Sequence, residues 1–445
     1  MAVLRFLVLI FALTSGFLMH GQNPFITEQF TADPSARVFN GKVYVFPSHD
    51  IQCSPPRGRK KWFCMEDYHV YSSENLTEWT DHGVIVNQYD VSWANTDSYS
   101  MWAPDCIERN DRYYFYFPTQ IKDTTKYGSG FSIGVAIADK PEGPYRINPE
   151  PIKNVKGIDP NIFIDKDDQA YLYWSSGNIY VAKLKENMTE LASEPKIIDN
   201  LPTEGLKEGP YLFERNGNYY LTYPHVANKT ERLEYAMGKS PEGPFEVTGV
   251  IMDESPTGCW TNHHSIIDYK DQWYLFYHHN DLSPDFDKNR SIRLDSLSFN
   301  RDGTIKKVVP TLRGVGLNDA FKPIHIDRYS DKSDNVNIEF ITPLQRKKGW
   351  KALFNKSGSW VRYNQVSFTR EPTQISIKAL SKTGGTIEVF ADSRKSEKLA
   401  AVQIPKSIDW QTLTVDLTNP IQGIHDLFIV AKDDAKVDID WIKFE

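Results

Sequence analysis

Three carboxylic acids stand at one phase of an internal repeat: Asp33 in Ala32-Asp33-Pro34, Asp159 in Gly157-Ile158-Asp159-Pro160-Asn161, and Glu208 in Lys207-Glu208-Gly209-Pro210. A proline follows each, directly or one residue later. Proline removes a backbone donor and biases the residue before it toward extended backbone. Each acid is therefore expected at the start of an innermost strand, in extended geometry, at the mouth of a central channel. Three acids converging there cannot all titrate normally. Like charges raise at least one pKa, which leaves a protonated acid beside ionised ones. General acid and general base catalysis of glycosidic-bond hydrolysis requires that combination. Any one of these tripeptides alone reads as a turn, and only the shared phase argues for chemistry.

The phase is set by five Tyr-rich or aromatic strands: Val43-Tyr44-Val45-Phe46, Tyr113-Tyr114-Phe115-Tyr116, Ala170-Tyr171-Leu172-Tyr173, Tyr219-Tyr220-Leu221-Thr222 and Trp273-Tyr274-Leu275-Phe276. A polar turn precedes each: Asn40-Gly41, Asn110-Asp111, Asp167-Asp168, Asn216-Gly217 and Lys270-Asp271. Eleven or twelve residues before the marker tyrosine stand Asp33, Ala103, Asp159, Glu208 and His263 in turn. In a closed ring of repeats, equivalent positions face a common centre. Units of about 50–70 residues with several short strands point to a propeller, whose blades have about four strands each. The turn Pro141-Glu142-Gly143-Pro144-Tyr145 recurs as Pro241-Glu242-Gly243-Pro244-Phe245, which supports repetition of whole blades.

The composition changes near residue 330, where residues 330–337 are polar and charged. Period-2 strands follow at close spacing, among them Trp360-Val361-Arg362-Tyr363, Thr386-Ile387-Glu388-Val389-Phe390 and Val437-Asp438-Ile439-Asp440-Trp441, the pattern of a β-sandwich. The expected organisation is all-β. A signal peptide occupies residues 1–21, a five-bladed β-propeller 23–327, a linker 328–337 and a jelly-roll β-sandwich 338–445. Trp360 and Trp441 are expected in the sandwich core.

The net charge of −7 and the absence of a long Lys/Arg block exclude nucleic acid as a partner class. The 13% aromatic content suits β-structure and, through flat rings, carbohydrate. Arg5 followed by the apolar stretch 6–13 fits a signal-peptide core and is too short to span a bilayer. An exported protein, periplasmic or extracellular, monomeric and without a membrane anchor, is expected. Of the cysteines Cys53, Cys64, Cys106 and Cys259, the first two share one loop and are the only sequence-close pair; unbridged thiols are the expectation. That loop, from Ser48 to Asp67, is long and basic, and either shapes the rim of a pocket or is a surface excursion.

Asp33, Gly157-Ile158-Asp159-Pro160, Glu208-Gly209-Pro210, Trp102-Ala103-Pro104-Asp105 and Asn262-His263-His264-Ser265 together resemble glycoside hydrolase family 43 over residues 23–327. The resemblance implies inverting hydrolysis of arabinose- and xylose-containing plant polysaccharides, with an oligo- or polysaccharide as partner. It implies Asp33 as the general base, Glu208 as the general acid and Asp159 as the acid that orients Glu208 and raises its pKa. Trp102 matches an aromatic lining the pocket, and Arg290 an arginine reaching the sugar. His263, or His264 if the register slips, matches a histidine that meets a central cation, often calcium. No organic cofactor is implied. Residues 338–445 resemble a family 6 carbohydrate-binding module. Exo-acting release of α-L-arabinofuranose or β-D-xylose is the expected activity. The alternatives are endo-acting cleavage by the same family and a non-catalytic sugar-binding propeller; retention of all three acids argues against the second.

Overall fold

Two-residue turns explain the repeat at the level of the backbone. In four of the five hairpins both central residues have positive φ: Asn40 and Gly41 at 50° and 75°, Asn110 and Asp111 at 54° and 58°, Asn216 and Gly217 at 53° and 75°, Lys270 and Asp271 at 52° and 62°. Such turns match the right-handed twist of the strands they join, and Asn, Asp and Gly adopt them most readily. Each hairpin links the innermost strand of a blade to its Tyr-rich second strand.

The computed structural model describes residues 23–53, 58–342 and 350–445; the expected signal peptide at 1–21 lies outside the described residues. Blade one runs Phe30–Phe39, Lys42–Asp50, Met65–Ser73 and Thr80–Asn87 in sequential antiparallel order. Blade two is Asp105–Arg109, Arg112–Gln120, Phe131–Ala138 and Arg146–Ile147. Blade three is Ile158–Ile164, Ala170–Ser175, Ile179–Lys183 and Lys196–Ile197, and blade four is Tyr211–Arg215, Asn218–Val226, Glu231–Gly238 and Phe245–Met252. Blade five has three strands, Ser265–Tyr269, Gln272–His279 and Ser291–Leu297. Helix among the described residues is confined to the single turn Thr124–Tyr127 and a 3-10 turn at Gln88–Asp90.

Five apolar clusters, one between each pair of neighbouring blades, hold the ring. Phe46, Tyr68, Phe115 and Phe117 fill the seam between blades one and two. Val43, Tyr71, Ile267 and Phe276 close blade five against blade one. Asn23 completes that closure: its side-chain amide donates to the Leu294 carbonyl (3.0 Å) and the Thr311 carbonyl (2.8 Å), and its side-chain oxygen accepts from the Leu294 amide (2.8 Å). Large aromatics suit these seams because each buries much apolar area with little rotamer freedom to lose.

The second unit is a β-sandwich. One sheet orders Asn318–Asp319, Trp360–Phe368, Gly423–Ala431, Gly385–Ala391 and Lys398–Ile404; the other orders Val336–Phe340, Trp350–Phe354, Val437–Phe444, Gln374–Leu380 and Gln411–Asp416. Two expectations need correcting. Asp331–Lys332 pairs with Trp360–Phe368 and Val336–Phe340 with Trp350–Phe354, so the segment expected as a linker at 328–337 is paired into the sandwich, which also takes Ile324–His325 from the end of the expected propeller by pairing it with Val437–Phe444. Trp360 and Trp441 are half-buried on the sheet faces and do not join the core. Tyr363, Phe354, Phe368 and Phe444 fill it instead, because alternation along each strand points these residues inward.

Candidate active site

The ring brings all five repeat-equivalent residues, Asp33, Ala103, Asp159, Glu208 and His263, to one cavity of about 140 Å³. That is well below the ~300–1,000 Å³ of sites for drug-sized ligands and suits a single sugar ring. A second cavity of about 280 Å³, at the seam of propeller and sandwich beside Arg313 and Asn364, lacks this carboxylate cluster.

The backbone that carries the acids is not extended. Asp33 has φ of 49°, Asp159 58° and Gly209 52°, so the residue before each of the three prolines is left-handed. At Asp33 the cause is a register shift between Ala32 and Ser35, which turns the side chain into the channel. Non-glycine residues rarely adopt this conformation, and such strain concentrates at functional sites. At Gly209 a side chain would be crowded as well as strained: a Cβ there would stand 3.0 Å from Pro224 and 3.1 Å from the His263 ring.

Both carboxylate oxygens of Asp33 accept hydrogen bonds. Its Oδ1 accepts from Arg290 Nη1 at 2.7 Å, its Oδ2 accepts from the Ser48 hydroxyl, and its amide donates to His278 Nδ1 at 3.1 Å. His278 Nε2 then carries the proton and donates to the Thr261 carbonyl at 3.1 Å. Burial alone would raise the Asp33 pKa, but the opposing charges, Arg290 foremost, hold it at about 2. Arg290 is 3% exposed, and its fork also binds Asp50, Nε to Oδ2 and Nη2 to Oδ1, both at 2.9 Å. It lines the cavity as expected of a sugar-reaching arginine, yet its donors point at Asp33 and Asp50.

Asp159 is buried, and its carboxyl is raised well above the usual range by desolvation, then by Glu208 and Asp33. Its Oδ2 accepts the Gly209 amide at 2.9 Å, so it grips the backbone next to Glu208. Glu208 is raised by desolvation, with a further contribution from the charge of Asp33. One carboxyl is thus held ionised while others facing the same cavity are held toward the protonated form, the division of labour that separates a base from an acid.

Trp102 lines the cavity and packs on Phe131 at 4.5 Å between centroids. Trp62, Phe63 and Met65 line it too, so the described part of the long basic loop shapes the pocket. Cys53 and Cys64 form a disulfide across that loop, against the expectation of unbridged thiols; Cys106 and Cys259 are free and buried. The closeness of Cys53 and Cys64 in sequence was the available signal. Trp260 and Thr261 also reach the cavity, as does Glu231, the first residue of the third strand of blade four. No repeat phase marks these three.

His263 faces the cavity, with Nδ1 4.0 Å from Asp33 Oδ1. His264 is buried behind it, with Nε2 2.6 Å from Thr222 Oγ1. His263 therefore occupies the fifth ring position. Among the described residues, the group that brings three ligating side chains within 4.8 Å of one another is His49, Asp67 and His69, which does not include His263. Calcium takes about six to eight oxygen ligands. A lone imidazole does not fit a protein-built calcium cage.

The Arg290 fork predicts a measurable shift. In Arg290→Lys a point charge cannot serve both carboxylates, so Asp33 loses part of what depresses its pKa. Because that pKa starts near 2, the acid limb of kcat/KM should move upward into the accessible range, with kcat/KM falling roughly tenfold or more. Rates measured from about pH 3 to neutrality check this; an unmoved acid limb would count against it.

Comparison with known proteins follows the same lines. The family model described as glycosyl hydrolases family 43 matches residues 21–305, and that for carbohydrate binding module (family 6) matches residues 329–445. The chain is 36% identical over 331 residues to a xylosidase/arabinosidase 43A of Humicola insolens, covering 63% of this chain and 98% of that protein. It is 34% identical over 319 residues to a xylosidase/arabinosidase of Bacteroides ovatus, covering 62% and 94%. A solved β-xylosidase/α-arabinofuranosidase from a compost microbial metagenome, in complex with xylotriose in a calcium-free form, superposes with a TM-score of 0.59 at 33% identity, covering 65% of this chain and 97% of that one.

Proposed function

The chain belongs to glycosyl hydrolase family 43, and from that premise we propose that it is an inverting, exo-acting hydrolase releasing α-L-arabinofuranose or β-D-xylose from hemicellulose fragments. The observation that carries the reading is the convergence of Asp33, Asp159 and Glu208 on one cavity of about 140 Å³, where the Arg290 contact holds Asp33 ionised and burial raises Glu208. The relatives described as xylosidase/arabinosidase support the choice of five-carbon sugars.

In this reading the ionised Asp33 takes a proton from water as the water oxygen attacks the anomeric carbon. Glu208 gives its proton to the glycosidic oxygen, which leaves with the electron pair of the broken carbon–oxygen bond. Asp159 holds the Gly209 amide and so fixes the aim of Glu208. Trp62, Trp102 and Trp260 surround the sugar ring and exclude water from it. A cavity of about 140 Å³, with room for a single sugar ring, favours a chain end over the middle of a polymer. The apolar stretch at 6–13 supports export to the polysaccharide, and the family 6 module supports retention there.

The test is hydrolysis of 4-nitrophenyl α-L-arabinofuranoside, 4-nitrophenyl β-D-xyloside and arabinoxylan, with products identified. A free pentose as the first product is expected. Release of oligosaccharides alone would favour endo action, and no hydrolysis of any would favour a binding propeller.

A further inference from the structure

Glu231 is a fourth acid in the cavity, and it touches the carboxyl of Glu208 directly. It opens the third strand of blade four, is 1% exposed, and its side chain hydrogen-bonds that of Glu208. Its two oxygens are in different situations. Oε2 accepts the Asn262 amide at 2.7 Å, while Oε1 is buried with no other donor among the described residues. Two bare carboxylate oxygens cannot face one another in a desolvated site; a proton must lie between them. We propose that Glu231 is a positioning residue that stays protonated through the reaction and donates a hydrogen bond to Glu208, steadying the carboxylate that Glu208 becomes when it gives up its proton.

The proposal rests on the assignment of Glu208 as the proton donor. When Glu208 aims its own proton at the glycosidic oxygen, its other oxygen is an acceptor, and the neighbour facing it must be a donor. As the glycosidic bond breaks, the Glu208 proton passes to the leaving oxygen and Glu208 becomes anionic. The Glu231 proton stays where it is, and the hydrogen bond it makes strengthens with the new charge, because donors to an ionised acceptor bind more tightly. This is stabilisation that grows in the transition state, the kind that accelerates a reaction. Burial, then the charge of Glu208, pushes the Glu231 carboxyl well above the usual range, consistent with a group kept neutral for donation. Asp159 is arranged differently, since its Oδ2 accepts the backbone amide of Gly209, the residue next to Glu208.

The test compares Glu231→Gln, Glu231→Met and Glu208→Gln on aryl glycosides of good and poor leaving groups, with pH profiles of kcat/KM. Glutamine keeps an acceptor for the Asn262 amide and a donor for Glu208, so Glu231→Gln should retain the wild-type leaving-group dependence and alkaline limb. Methionine has neither. Without the donor Glu208 becomes a weaker acid, so in Glu231→Met the alkaline limb should rise by roughly 1–2 pH units and poor leaving groups should slow by ~10–100-fold, good ones much less. If Glu231→Met does not fold, Glu231→Gln still decides: an alkaline limb moved downward, with loss confined to poor leaving groups, would mean that an ionised Glu231 was needed, and would overturn the proposal. So would a Glu231→Met enzyme with wild-type leaving-group dependence and pH profile. Glu208→Gln separates the two assignments. If it shows no leaving-group dependence, the proton-donor reading fails and takes this one with it; if it does while Glu231→Met does not, only the Glu231 proposal fails.

Discussion

Asp33→Asn should lower kcat by ~10²–10⁴-fold, the usual worth of a positioned general base, with a melting temperature close to that of the wild type. The two halves of this expectation have separate causes. Activity falls because an amide cannot accept a proton from the attacking water. The fold survives because asparagine is nearly isosteric and, among non-glycine residues, is one of the few that tolerate the φ of 49° found at this position. Arg290 is not stranded, since its two 2.9 Å contacts with Asp50 remain. Asp33→Ala is a poorer test, because it removes the acceptors for both Arg290 Nη1 and the Ser48 hydroxyl. Steady-state rates beside a thermal melt distinguish the outcomes, and wild-type-like turnover by Asp33→Asn would remove Asp33 from the mechanism.

The second large effect is expected at Glu208 and should depend on the substrate. With a natural xylan or arabinoxylan fragment the leaving alcohol is a poor leaving group, and Glu208→Gln should lose ~10²–10⁴-fold in kcat. With 2,4-dinitrophenyl glycosides the leaving group departs without a proton, and most of the rate should return. The alkaline limb of the pH profile, assigned to loss of the Glu208 proton, should disappear in the variant. Its direction is fixed: Glu208 is raised in the folded protein, so the active protonated form prevails below that raised pKa and is lost as pH climbs through it. An equal loss on both classes of substrate would point to a structural fault in place of a missing acid.

The ring itself was legible because a closed repeat converts sequence phase into position. Asp33, Ala103, Asp159, Glu208 and His263 line one cavity, as eleven- or twelve-residue offsets from five tyrosines imply. The backbone at those points was not legible. The bias that proline places on its predecessor argued for extended geometry, and the register shift at Ala32/Ser35, together with the contacts holding Asp33, overrode it. Local rules give way most often where a site is built. Glu231 escaped notice for a different reason: the repeat marks the first two strands of each blade, and Glu231 opens a third strand. Trp62 and Phe63 lay in a loop whose length and charge were visible but whose fold over the cavity depends on tertiary contacts, among them the Cys53–Cys64 bridge. In the sandwich the strand pattern was plain, whereas the placement of Trp360 and Trp441 was not, because alternation alone does not say which face of a strand meets the other sheet.

The proposed mechanism is a single displacement, with water activated by Asp33 on one side of the sugar and the leaving group protonated by Glu208 on the other. Proton NMR of the first-formed sugar, recorded before mutarotation on whichever aryl glycoside is cleaved, tests this most directly. The predicted result is the inverted anomer: α-xylose from a β-xyloside, or β-arabinofuranose from an α-arabinofuranoside. First release of the same anomer as the substrate would require a covalent glycosyl-enzyme intermediate, and would contradict the assignment of Asp33 as a base.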